Sequence, residues 1–406
     1  MKTFHQTILT LSLATISLFT SCQKDISKPD IASGKIPDGF NFETSKKIDV
    51  NIRLLSTENE PLTGIIVDIN NTTNGETLLR GVSDQNGYFK ASVTIPAYID
   101  TLLVNPNNTG LTQDIKTLVV NNALTCVIGG TNGASGNIVM SVKGSNKTYA
   151  GSSSIFANTN FQFMGSFSSA GRPVSYLEPV KGVVSANLLT YLAESLPDNK
   201  DVRVHHPAYL TDNATEHLNL TKTADVWVTF VSEGGNHANA IGYYTYPTGN
   251  PPNMASKIPT VRYIFPNCGG VGSGGAMQSG DRVKLGTFGQ NTSIGFVLIQ
   301  NGWRPNQNTV DSSYPKFYSD SPFNPENTAA LKTHTVLLNY APENLFIIGF
   351  EDLVRTGGDH DFNDVVLYAN TVPTDAIGTA AVQAMAPPKD TDGDGVWDVN
   401  DKFPND

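Results

Sequence analysis

The sequence predicts a mostly β protein: a small N-terminal β-sandwich, a larger jelly-roll-like β-sandwich, and an acidic calcium-type loop at the C-terminal end. Three observations carry this. Apolar residues alternate with period two in short runs, as half-buried strands require. The 36 Gly and 23 Pro supply the turns between them. Charged residues make up only 16% of the chain, too few for long surface helices. At 406 residues and 39% hydrophobic content, the chain can bury cores for roughly two or three domains.

Residues 1–21 read as a signal peptide, with Lys2 ahead of an apolar stretch from Ile8 to Phe19. That stretch is shorter than the roughly 20 residues a bilayer span needs. Leu18-Phe19-Thr20-Ser21-Cys22 resembles a lipobox, the cleavage site of bacterial signal peptidase II, which makes Cys22 the lipidation site. An ordinary secretion signal with an incidental Cys is the alternative. Gln23-Lys24-Asp25 resembles the export signal of some Bacteroidota lipoproteins, which favours the outer face of the outer membrane over its inner face. Residues 22–46, with Pro29, Gly34, Pro37 and Gly39, read as a tether.

Over 47–105, Ile48, Val50, Ile52 and Leu54, then Ile65, Val67 and Ile69, alternate between turns at Glu60-Pro61, Asn74-Gly75 and Asn86-Gly87. Pro61–Val67 and Ser83–Phe89 resemble the carboxypeptidase regulatory-like β-sandwich, a module that acts as a spacer or stalk. Residues 106–216 read as a β-rich, irregular connecting region, with strands around Leu118-Val119-Val120 and Cys126-Val127-Ile128. It holds one helix near 185–196: Ser185 as N-cap, Leu188, Leu189, Leu192 and Leu196 on one stripe, and Pro197 as the stop. Strand signals rich in aromatics return over 217–372, the expected jelly-roll-like sandwich. A Pro/Ala linker, 373–388, leads to the tail at 389–406. Cys126 and Cys268 are expected to be buried thiols, although their spacing alone excludes no disulfide.

The net charge of −10 argues against a nucleic-acid partner and against attraction to anionic lipid. Most of it sits in two segments, 351–364 and 389–406, each carrying −4. In the second, Asp390, Asp392 and Asp394 occupy positions 1, 3 and 5 of a calcium loop. Gly395 is position 6, the Val396 carbonyl position 7 and Asp401 position 12, with Asp398 ligating directly or through water. Asp at position 12 resembles thrombospondin type 3 and dockerin loops more than EF-hands. A solvated acidic tail is the alternative.

In the first segment, two strands flank a Gly357-Gly358 bend, so that Glu351, Asp352, Asp359, Asp361, Asn363 and Asp364 can converge on one calcium. Asn363 and Asp364 can instead simply cap the turn, and His360 is expected to be exposed.

Phe350-Glu351-Asp352-Leu353 with Asp359-x-Asp361-Phe362-Asn363-Asp364 resembles the domain of unknown function in LruC-domain lipoproteins. Tyr176-Leu177-Glu178-Pro179, His206-Pro207-x-Tyr209-Leu210 and Ala224–Phe230 resemble the same proteins, so the likeness covers roughly 170–406. It implies a surface-lipoprotein context and no biochemical activity. A further C-terminal domain commonly follows in that family; two readings stay open at Asp406, that it is missing or that the sequence is a piece of a longer chain.

Gly270–Gly275 formally matches G-x-G-x-x-G, yet Met277-Gln278-Ser279-Gly280 does not open a helix, so a dinucleotide site is not expected. Neither G-x-S-x-G nor H-E-x-x-H occurs, and the chain is read as a non-enzyme. The expected function is that of a calcium-binding, cell-surface or outer-membrane lipoprotein. It would be held to the membrane by its lipid anchor and bind a glycan or surface-protein ligand in adhesion. Tyr243, Tyr244, Tyr246 and Trp303 are the candidate contact aromatics, though such residues are more often core. The alternatives are a structural spacer and a glycan-active enzyme, which would need Glu233 or Glu351 as acid and base.

Overall fold

Ile48, Val50, Ile52 and Leu54 all point inward from β1 (Ser45–Leu55), as their alternation requires. The computed structural model describes residues 43–140, 159–211, 213–235, 237–394, 396–398 and 401–406. The signal peptide, Cys22 and most of the tether lie outside these. Among the described residues, 41% are strand and 9% helix.

The first sandwich continues with β2 (Ile66–Asn71), β3 (Thr77–Val82), β4 (Tyr88–Pro96), β5 (Thr101–Pro106), β6 (Ile115–Val120), β7 (Ala123–Gly129) and β8 (Ser135–Gly136). Its strand order is β3-β2-β5-β6-β7-β1-β4, with β8 on β7. At the β3–β4 turn Gly87 has φ +74, and a Cβ there would lie 2.5 Å from the Leu54 carbonyl oxygen, so the turn needs glycine. The sandwich therefore runs past the expected boundary at 105. The reason is non-local: β7 pairs in parallel with β1, so ending the unit at 105 would strip β1 of one neighbour.

The second sandwich holds β9 (Asn160–Phe163), β10 (Leu218–Asn219), β11 (Ala224–Glu233), β12 (Ala240–Pro247), β13 (Thr260–Phe265), β14 (Arg282–Phe288) and β15 (Thr292–Ile299). A hairpin of β16 (Trp303–Arg304) and β17 (Thr309–Val310) follows, then β18 (Lys316–Tyr318), β19 (Thr335–Tyr340), β20 (Leu345–Phe350), β21 (Val365–Val372) and β22 (Gln383–Ala384). One sheet orders β10-β15-β12-β13-β9 with β18 on β15, and the other β14-β11-β21-β20-β19-β22. The chain crosses between them repeatedly, which gives the jelly-roll-like character. Val226, Val228 and Phe230 of one sheet share a core with Phe265, Phe296 and Leu298 of the other.

The expected helix is α1 (Ala186–Ser195), and the Ser185 hydroxyl accepts from the Leu188 N–H at 3.0 Å. Leu188, Leu189, Leu192 and Leu196 are buried in a core shared by the first sandwich and the outer face of the second, including Leu338, Ile347 and Val366. Residues 44–406 accordingly form one compact unit. The stretch expected to be a linker, 373–388, packs as well. Ile377 and Met385 are buried, Leu220 bridges to Ile377, and β22 pairs with β19. Its Pro/Ala composition resembles a linker, yet its few apolar residues find partners contributed by distant strands. The Gly270–Gly275 stretch is a tight buried turn against the first sandwich, where the Gly272 carbonyl accepts from the Lys116 N–H at 3.2 Å. Cys126 and Cys268 are free and buried, and burial pushes the Cys126 thiol up to about 12.

Candidate metal centre

Residues 351–364 leave β20 and return as β21 at one point, because Phe350 and Val365 are register partners. The Asp352 N–H donates to Asp364 Oδ2 at 2.7 Å and closes the neck of the loop. Within it His360 and Phe362 take φ +67 and +58, a left-handed conformation unfavourable for side chains of this size. Burial of the Phe362 ring and a 2.9 Å hydrogen bond from the Val202 N–H to the His360 carbonyl hold that backbone in place. The path turns Asp361 inward, where its carboxylate accepts from the N–H groups of Asn199 (2.9 Å) and Asn363 (3.2 Å).

Carboxylate oxygens of Glu351, Asp359 and Asp361 then lie within 4.8 Å of one another. Two oxygens bonded to one calcium at about 2.4 Å each can be no further apart than this. Glu351 is 0% exposed, and neither of its carboxylate oxygens has a hydrogen-bond partner among the described residues. A buried charge without a partner is costly, so this carboxylate is suited to a cation. Burial, then the charges of Asp359 and Asp361, push Glu351 up to about 8; burial and Asp359 push Asp361 up to about 7. Gly358 packs so closely that a Cβ would lie 2.1 Å from Glu351 Oε1.

The other candidates of this segment are placed differently. Asp352 Oδ2 accepts from Asn239 Nδ2 at 2.6 Å and lies 3.0 Å from His237 Nδ1. Asp352 and Asp364 converge beside Gly235, where a Cβ would lie 2.8 Å from Asp352 Oδ2 and 3.1 Å from Asp364 Oδ1. Burial and the Asp352 charge hold Asp364 well above the usual carboxylate range. Asn363 turns its amide toward the Leu196 carbonyl and Thr109 Oγ1 and so positions the loop. His360 is buried rather than exposed, because Arg355, itself buried over the Phe362 ring, donates to its Nδ1 at 3.1 Å. Asp359 and Asp361 face a cavity of about 280 Å³ that Gln113, Asp114, Asp198 and Asn199 also line. Those four residues carry no motif that links them in sequence to 351–364.

In the C-terminal loop Asp390, Asp392 and Asp394 also bring carboxylate oxygens within 4.8 Å, but near the surface. Each already accepts from the loop backbone: Asp390 from Gly393, Asp392 from Asp394, and Asp394 from Val396, at 2.8–3.1 Å. Asp398 is turned to the Thr391 N–H and hydroxyl, and Asp401 accepts from the Phe403 N–H. Val396 is exposed; Gly395, Val399 and Asn400 lie outside the described residues. Tyr243, Tyr244, Tyr246 and Trp303, the candidate contact aromatics, are buried, with Tyr244 and Tyr246 donating to Asp320. Tyr243 faces the core between the two sheets, and Tyr244, Tyr246 and Trp303 share a second core on the other side of β12. Glu233 is buried beside Ser273.

Two family matches cover parts of the chain. Residues 288–371 match a "Domain of unknown function (DUF4114)", a stretch that runs from the end of β14 through β20, the acidic loop and all but the last residue of β21, and residues 46–128 match another, DUF8469, from within β1 to within β7. No curated protein matches. Among solved structures, a double mutant of the shaft pilin SpaA from Lactobacillus rhamnosus GG is similar at a TM-score of 0.17 and 8% identity. That match covers 63% of this chain and 87% of the pilin.

Proposed function

We propose that this chain is a calcium-binding lipoprotein of the outer membrane, anchored through Cys22 and displayed at the cell surface, where it serves adhesion or ligand binding. Calcium closes the strand-loop-strand segment of its outer sandwich. One observation carries the cation reading: Glu351 is buried with both oxygens unpartnered, beside Asp359 and Asp361. A hard divalent cation of calcium's size supplies the charge and the contacts that this carboxylate lacks. Asp390, Asp392 and Asp394 form a second, weaker site.

Thermal melting of the chain lacking residues 1–21 tests this, comparing millimolar calcium with chelator. A raised midpoint is expected through linkage, and an unchanged midpoint contradicts the cation reading. For the anchor, Cys22→Ser should abolish acyl labelling. A second reading, a spacer that presents something else at the surface, is favoured by the burial of Tyr243, Tyr244, Tyr246 and Trp303. A glycan array that stays blank with calcium present supports the spacer over adhesion to glycans.

A further inference from the structure

We infer that the cation held by Glu351, Asp359 and Asp361 bridges the two sandwiches, with Asp114 of the first sandwich and Asp198 after α1 forming the opposite wall of its site. This rests on the cation reading above and assigns the ion a partner surface.

The cavity has walls from four parts of the chain, one of them Gly234, Gly235 and His237 between β11 and β12. Asp359 and Asp361 come from the loop between β20 and β21, Gln113 and Asp114 from the connection between β5 and β6, and Asp198 and Asn199 from the turn that Pro197 starts. Calcium takes six to eight oxygens, so three carboxylates leave positions open for water or further ligands. A volume of about 280 Å³ leaves room for several waters between a bound ion and the far wall. The Asn199 N–H already donates to Asp361, so this turn is fixed to the loop before any ion binds. Asp114 takes φ +51, a conformation that Asp and Asn tolerate better than most residues. Carboxylates of the two sandwiches thus face one cavity, where without a cation they only repel. Glu351 does not itself line the cavity, but its carboxylate, buried and without a hydrogen-bond partner among the described residues, lies within 4.8 Å of those of Asp359 and Asp361, which do, and is the independent sign that positive charge belongs at that edge.

Calorimetric titration with calcium chloride tests the bridge in the full chain, comparing the parent with Asp114→Asn, Asp198→Asn and, as a net-charge control, exposed Glu58→Gln. Loss of one facing carboxylate should weaken the tighter site by roughly three- to tenfold, while Glu58→Gln changes it less than about twofold. Asn is compatible with φ +51, so Asp114→Asn should fold. Hydrogen exchange adds a readout: calcium should slow the amides around Gln113 and Asp114 in the parent but not in Glu351→Gln. Unchanged affinity in both cavity variants, with binding still lost in Glu351→Gln, overturns the bridge and leaves the cation site standing. A parent that binds no calcium overturns both.

Discussion

The two acidic segments carry the same formal charge, −4 each, and the same local geometry, three carboxylates within 4.8 Å. They differ in what surrounds the charge. In the segment between β20 and β21, Glu351 is shut away from water with no hydrogen-bond partner among the described residues, and the Arg355 charge offsets less than burial and the charges of Asp359 and Asp361 cost it. In the C-terminal loop each Asp is accessible and already accepts from the loop backbone. The motif that is sharper in sequence therefore has the weaker claim on an ion. Spacing shows that ligands can meet; burial decides how much their meeting costs.

The largest difference should come from Glu351→Gln. It removes a buried acid whose ionisation Arg355 offsets only in part, so the chelated protein should melt no lower than the parent, while calcium affinity falls at least about tenfold. In the parent, an ion at 100 times its dissociation constant adds about 2.7 kcal/mol. That corresponds to roughly 3–4 °C in melting midpoint for a cooperative unit of this size, and the variant should lose most of it.

Two glycines sharpen the contrast. Gly358→Ala places a Cβ 2.1 Å from Glu351 Oε1, so it must displace the buried ligand and should weaken the tight site by about tenfold. Gly393, at φ +78, has nothing within 4 Å, and Gly393→Ala should add only the local strain of a left-handed residue, about 1–2 kcal/mol. Equal effects from the two would erase the distinction drawn between the sites.

Proton competition separates them further. Glu351 and Asp361 bind protons more tightly folded than unfolded, about 8 and about 7 against ordinary values of 4.5 and 3.8. Their contribution to the chelated fold is therefore a penalty that is absent below about pH 4, grows as pH rises and is complete above about pH 8. Melting of the chelated parent should fall across that window, calcium should reverse the fall, and Glu351→Gln should flatten it. The smallest effect belongs to Asp392→Asn, which should remove one weak ion from the calorimetric stoichiometry and shift melting by less than about 1 °C.

What was legible in the sequence was local. Ser185 capping the helix, the inward alternation of β1 and the meeting of Glu351, Asp359 and Asp361 each depend on residues within one turn, strand or hairpin. The parallel pairing of β7 with β1 was not legible, because nothing near 105 shows which strand completes the sheet. Nor was the packing of Ile377, which meets Leu220 just after β10 and joins the core between the two sheets of the second sandwich, or of Met385, which hydrogen-bonds to β19 and joins the core that holds α1. The far wall of the cavity was missed for the same reason: Asp114 and Asp198 look like ordinary turn residues until the fold brings them opposite Asp359.

The most direct measurement is an anomalous difference map from crystals grown with calcium. The expected result is one strong peak about 2.3–2.6 Å from oxygens of Glu351, Asp359 and Asp361. A map that instead shows an ion only at Asp390, Asp392 and Asp394, with Glu351 bound to water, would contradict it.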